Sequence, residues 1–208
     1  MQTRNLDLNG PAGRLEAVLS TPSGEPRGAA LLCHAHPLHG GTLHFKLLFR
    51  VAKVYQSCGH AVLRFHFRGV GRSAGEFDRG RGEADDARSA LDFLAREFGG
   101  LPIVHGGFSF GAVIALRTGI RDERVKALFL MGLPVLALES ALENPFAKPT
   151  LFVQGERDEF GGGPEIEEFV RSFEGPKTLL VVPGSGHLFE ESTAPVEDAL
   201  REWLGNLA

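Results

Sequence analysis

Ser109 sits in the run Gly107-Phe108-Ser109-Phe110-Gly111. An apolar run, Ile103-Val104, leads into it, and Ala112 to Leu116 behind it reads as helical. A serine on a tight strand-to-helix turn presents its hydroxyl above the sheet edge in a strained conformation, and the spacing Gly-x-Ser-x-Gly suits that turn. The two glycines are expected where strand and helix approach too closely for a Cβ. A serine hydroxyl is a weak nucleophile at neutral pH. It needs a base, and the base needs an orienting carboxylate. Both types follow, each just past a strand-like run. Asp158 lies in Gln154-Gly155-Glu156-Arg157-Asp158, after Thr150 to Gln154. His187 lies in Pro183-Gly184-Ser185-Gly186-His187, after Thr178 to Val182. The expected roles are Ser109 as nucleophile, His187 as base and Asp158 as its orienting acid. Glu156 and Glu159 compete for the acid's place.

The pattern His34-x-His36-x-x-His39 raises a rival chemistry, because it is similar to the histidine-rich zinc motif of metallo-β-lactamase-like hydrolases. Such sites place an aspartate before the last histidine, whereas Leu38 stands there, and no matching ligand set follows downstream. A structural use of these histidines within their loop is the stronger reading, so no metal and no cofactor are expected. Gly69-x-Gly71 with Gly75 has the wrong spacing for a dinucleotide loop and reads as a turn. Arg68 and Arg72 in that turn are expected to be solvated, with substrate or an acidic neighbour as alternatives. His105 is expected to be a satisfied core histidine. Gly161-Gly162-Gly163 reads as a flexible loop.

The elements that must position these groups alternate along the chain. Strand candidates are Ala29 to Cys33, Ala61 to Phe67, Ile103-Val104, Val125 to Met131, Thr150 to Gln154 and Thr178 to Val182. Between them, helical stripes run through Leu47-Leu48-Val51-Ala52-Tyr55, Ala87-Ala90-Leu91-Leu94-Phe98 and Ile166-Phe169-Val170-Phe173, and Val196-Ala199-Leu200-Trp203-Leu204 closes the series. Strands apolar on both faces, alternating with helices, imply an α/β fold: a mostly parallel twisted sheet with helices on both faces. Asn5 to Asn9 and Arg14 to Thr21 read as a hairpin at one sheet edge. All strand C-termini then share one edge, where Ser109, Asp158 and His187 can meet.

With 208 residues, the chain is expected to be a single domain, 1–208. Its net charge of -4, without basic runs, gives no footprint for nucleic acid. No apolar run reaches the roughly 18 residues of a membrane span. The opening Met1 to Asp7 lacks the apolar stretch of a signal peptide, so the expected location is cytoplasmic. Cys33 and Cys58 are expected to be buried free thiols. Nothing in the sequence indicates an oligomeric state.

The motifs His34-Ala35-His36-Pro37-Leu38-His39-Gly40-Gly41, Phe67-Arg68-Gly69-Val70-Gly71-Arg72-Ser73, Gly107 to Gly111, Gly155 to Asp158 and Gly186-His187 are shared with a known group. Over nearly its whole length the chain resembles the α/β-hydrolases, close to the short dienelactone-hydrolase and serine-aminopeptidase-like branches. The resemblance implies hydrolysis of a small acyl substrate, an ester or thioester, through an acyl-enzyme. It favours Asp158 over Glu156 and Glu159 as the acid. It also implies an oxyanion hole from the amide of Phe110 and one amide of the His-rich loop. Pro37 has no N–H, so Leu38 is expected to be that second donor. The connection from Leu133 to Lys148 is too short for a cap domain, and an open cleft is expected. Other carriers of this fold include lyases, peroxidases and non-catalytic proteins, and a non-catalytic or metal-dependent protein on the same fold is the alternative.

Overall fold

The computed structural model describes residues 2–138, 148–190 and 193–207. The chain opens with a hairpin of β1 (Gln2–Gly10) and β2 (Gly13–Thr21). There follow β3 (Gly28–Cys33), α1 (Lys46–Ser57), β4 (His60–Phe65), α2 (Arg81–Glu97), β5 (Ile103–Phe108) and α3 (Phe110–Gly119). The second half adds β6 (Val125–Met131), β7 (Thr150–Gly155), α4 (Gly163–Arg171), β8 (Lys177–Val182) and α5 (Ala194–Asn206).

The strands form one sheet in the order β1-β2-β4-β3-β5-β6-β7-β8. The hairpin is antiparallel and occupies one edge, and every pairing from β4 to β8 is parallel. The expected fold class and edge hairpin are both present. The period-2 alternation of strands divides the core cleanly. Ala29, Leu31 and Cys33 of β3 face one apolar layer with Ala87 and Leu91 of α2 and Ile166 of α4. Ala30 and Leu32 face the other, with Leu47 and Val51 of α1 and Leu200 and Trp203 of α5. Strands buried on both faces are therefore apolar at every position, as the sequence of β3 is.

His105 lies wholly inside this core. Its Nε2 is 2.9 Å from the Thr118 hydroxyl and its Nδ1 3.3 Å from the Leu31 carbonyl. Burial pushes its pKa down from 6.5 to about 4. His34, also buried, is pushed down to about 3. The sign of the consequence follows from proton linkage. Below pH 6.5 the unfolded chain takes up protons that the fold refuses, so stability sits on its plateau above 6.5 and is lost as pH falls toward 4. The urea midpoint is expected to fall between pH 7 and 4.5, and less steeply in His105→Gln. Parallel slopes in the two proteins would remove His105 from the account.

Candidate active site

Ser109 occupies the junction of β5 and α3 with φ 56 and ψ -120. A left-handed conformation at a non-glycine residue costs of order 1–3 kcal/mol and persists only when the surroundings impose it. They do here. The Ser109 amide donates to the Met131 carbonyl at 2.9 Å, and its own carbonyl accepts the Ala112 amide. A Cβ on Gly107 would lie 2.5 Å from the Gly111 carbonyl oxygen and 2.8 Å from that of Cys33. A Cβ on Gly111 would lie 2.5 Å from the His34 carbonyl oxygen. Both glycines are thus required by close approach, as the motif predicts. The same contacts put the end of β3 directly against the elbow.

His187, past the end of β8, reaches back to Ser109 with Nε2 2.9 Å from Oγ. Its Nδ1 lies 2.8 Å from Asp158 Oδ2. Asp158 is buried in the turn after β7. Oδ2 also accepts from Gln154 Nε2 at 2.9 Å, and Oδ1 accepts the Phe160 amide at 2.9 Å. Every oxygen of this carboxylate is thus hydrogen-bonded, which a buried charge requires. Glu156 is elsewhere, accepting the Gly184 amide at 2.7 Å, and Glu159 is an exposed turn residue. The structure brings Ser109, His187 and Asp158 together and leaves the two competing glutamates outside.

Gln154 has no counterpart in the sequence reading. It points from β7 beneath the acid, accepts the Leu133 amide at 3.0 Å, and donates to the Gly161 carbonyl at 2.7 Å as well as to Asp158. A long polar side chain near the end of a strand whose interior, Leu151-Phe152-Val153, is apolar is its only sequence signal. The three glycines expected to be a flexible loop are instead buried, and Gly163 begins α4. The Gly161 carbonyl belongs to the acid's support.

Phe110 opens α3, so its amide has no intrahelical acceptor and lies where the helix dipole is positive. Leu38 departs from expectation. Its amide already donates to His36 Nδ1 at 3.2 Å, inside the single 3-10 turn Pro37–His39, and its side chain is exposed. His36 precedes the turn, on the β3 side of Pro37, and its amide donates to no acceptor among the described residues. The His36 ring packs on the Phe110 ring at 5.1 Å between centroids.

The remaining loop residues have structural partners. His34 Nε2 accepts the Phe67 amide at 3.1 Å while Nδ1 lies 2.7 Å from the Ala35 carbonyl. His36 and His39 stack at 4.4 Å. Arg68, expected to be solvated, is instead largely buried. Its NH2 and Nε meet Asp86 of α2 at 2.8 and 3.0 Å, and its amide donates to the same carboxylate. Arg72 keeps an exposed side chain but pairs with Glu16. Its amide, above all, holds the Glu16 carboxyl down to about 2. Acidic neighbours pair with both arginines, and Arg72 alone is also solvated as expected. Cys33 is buried as expected, but Cys58 is only half-buried.

Residues 25–148 match the hydrolase family described as serine aminopeptidase, S33. An α/β serine hydrolase homologue from Coxiella burnetii superposes with a TM-score of 0.91 at 33% identity, over 100% of this chain and 99% of that one. A Xanthomonas campestris α/β serine hydrolase without a lid gives 0.91 at 28% identity, over 99% and 95%. An uncharacterised protein of Rickettsia prowazekii is 29% identical across 95% of this chain and 87% of its own length. The fold extends to Est1E of Butyrivibrio proteoclasticus, solved with ferulic acid bound, at TM-score 0.84 and 18% identity over 97% and 98%. No helix among the described residues is long and apolar enough to cross a membrane.

Proposed function

We propose that this chain, which belongs to the lidless α/β-hydrolases and to the family described as serine aminopeptidase, S33, hydrolyses carboxylic esters or thioesters of small acyl substrates through an acyl-enzyme. The observation that carries this reading is the unbroken relay Asp158–His187–Ser109, with links of 2.8 and 2.9 Å. In it Ser109 Oγ attacks the acyl carbon and passes its proton to His187 Nε2. The carbonyl electron pair moves onto oxygen, and the amides of Phe110 and His36 receive that oxyanion. Collapse breaks the bond to the leaving atom, which takes the proton from Nε2. Water then attacks the acyl-serine, gives a proton to Nε2, and the acid departs as Ser109 recovers its hydrogen. Asp158 fixes the imidazole and balances its positive charge in each half. The His36 amide replaces Leu38 as donor, because it lies beside the elbow and has no acceptor of its own. One such donor is worth roughly 100- to 1000-fold in rate.

A fluorophosphonate probe tests the reading directly, since it reacts with an activated serine and not with an ordinary one. Peptide mass analysis is expected to find the adduct on Ser109, and short p-nitrophenyl esters to be turned over by the unlabelled protein. No adduct together with no ester turnover would overturn the proposal.

A further inference from the structure

Among the described residues the exposed large hydrophobic side chains are Leu38, Phe49, Leu136, Phe160 and Leu188, each between 44% and 68% exposed. Single exposed apolar residues need no explanation, but a cluster does. Phe49 lies apart on α1, beside Lys53 and Arg64. The other four ring the C-terminal edge of the sheet around Ser109, and their distribution is uneven. Leu38 is on the loop after β3. Leu136, Phe160 and Leu188 follow β6, β7 and β8, all on the side from which His187 reaches the serine.

Phe160 is the centre of this second group. Its ring meets the His187 ring edge-to-face at 4.7 Å between centroids, and the buried Phe108 ring lies 5.0 Å from the same imidazole. Its backbone is fixed twice. The amide donates to Asp158 Oδ1 at 2.9 Å, and the carbonyl accepts the Leu136 amide at 3.1 Å. The exposed ring therefore stands on a backbone held by the acid itself. Leu136 is tied to it, and Leu188 directly follows His187. Phe160 and Leu136 thus hold exposed apolar side chains on a hydrogen-bonded backbone beside His187.

The geometry of the tetrahedral carbon relates these side chains to the substrate. Resting on the acyl-enzyme reading above, that carbon carries the serine oxygen, the oxyanion, the acyl chain and the leaving atom. The oxyanion points to the amides on the β3 side. The leaving atom must lie at His187 Nε2, because that nitrogen supplies its proton. The group attached to it then leaves on the His187 side of the site, the side that carries Phe160, Leu136 and Leu188. We propose that this rim selects substrates with a large apolar, ring-bearing leaving group, and that Phe160 is its specificity-determining residue.

Butyrate esters of methanol, benzyl alcohol and 2-naphthylmethanol test this, because the acyl group is constant and the three alcohols leave with similar intrinsic ease. The wild-type protein is expected to show kcat/KM for the naphthylmethyl ester roughly tenfold or more above the methyl ester, mostly through KM. Phe160→Ala is expected to collapse that ratio by roughly tenfold, and Phe160→Leu, which keeps apolar area, to restore part of it. A fall shared equally by all three esters would overturn the inference, since it would mean that Phe160 only positions His187. Wild-type turnover without preference overturns this inference alone. No turnover of any ester, with Ser109 unlabelled by the phosphonate, overturns the hydrolase reading and this inference with it.

Discussion

Ser109→Ala is expected to lower kcat for ester hydrolysis by on the order of a millionfold while leaving the fold intact. The size of the effect comes from the chemistry, because no other group at the elbow can form the acyl bond. The groups of such a relay act as a unit, so losing the nucleophile alone forfeits nearly all that the relay contributes. What remains is stabilisation by the Phe110 and His36 amides of direct attack by water. The fold survives because the Ser109 side chain has one partner, His187 Nε2, whereas the bonds that hold the turn are made by its backbone. Alanine at φ 56 carries much the same strain as serine. Steady-state kinetics with a p-nitrophenyl ester, beside thermal melts of both proteins, check the two halves. Residual turnover above about 1% of wild type, in protein of verified mass, would show that Ser109 is not the nucleophile.

The parts of this site that were legible in the sequence are those fixed by local chemistry. Gly107 and Gly111 mark a close approach that no other residue tolerates, and apolar runs such as Ala29 to Cys33 mark strands covered on both faces. Asp158 and His187 could be placed because each lies a few residues past such a run. What was not legible depended on side chains meeting across the fold. Arg68 looked like a solvated turn residue until α2 brought Asp86 beneath it, 18 residues away in sequence. Gly161 to Gly163 looked like slack chain, yet they cap α4 and support Gln154. Leu38 is the first residue past Pro37 with an N–H, but the short turn that Pro37 opens ties that amide to the His36 ring, a side-chain contact invisible in the sequence. In the proposed mechanism the donor is therefore the His36 amide, before the proline, which has no acceptor among the described residues.

Gln154 also decides the second large effect. Asp158→Asn is expected to cut kcat by on the order of ten-thousandfold, with little loss of thermal stability. The substitution replaces one acceptor oxygen with a donor NH2, and two orientations are open to it. If the NH2 took the Oδ1 position it would face the Phe160 amide, a backbone donor that cannot turn away. If it took the Oδ2 position it would face His187 Nδ1 and Gln154 Nε2. Gln154 can accommodate this, because its two amide hydrogens still have the Gly161 and Leu133 carbonyls at 2.7 and 3.2 Å. His187 can also accommodate it, but only by becoming an acceptor at Nδ1. Its proton then sits on Nε2, facing Ser109, and the nitrogen that should remove the serine proton is already protonated. The fixed Phe160 amide thus steers the asparagine into the orientation that disables the base. Loss of the carboxylate charge beside the imidazolium acts in the same direction. Kinetics of Asp158→Asn against wild type read the outcome. A loss below about tenfold would mean that the imidazole keeps its working tautomer without Asp158, and that the acid does not orient the base.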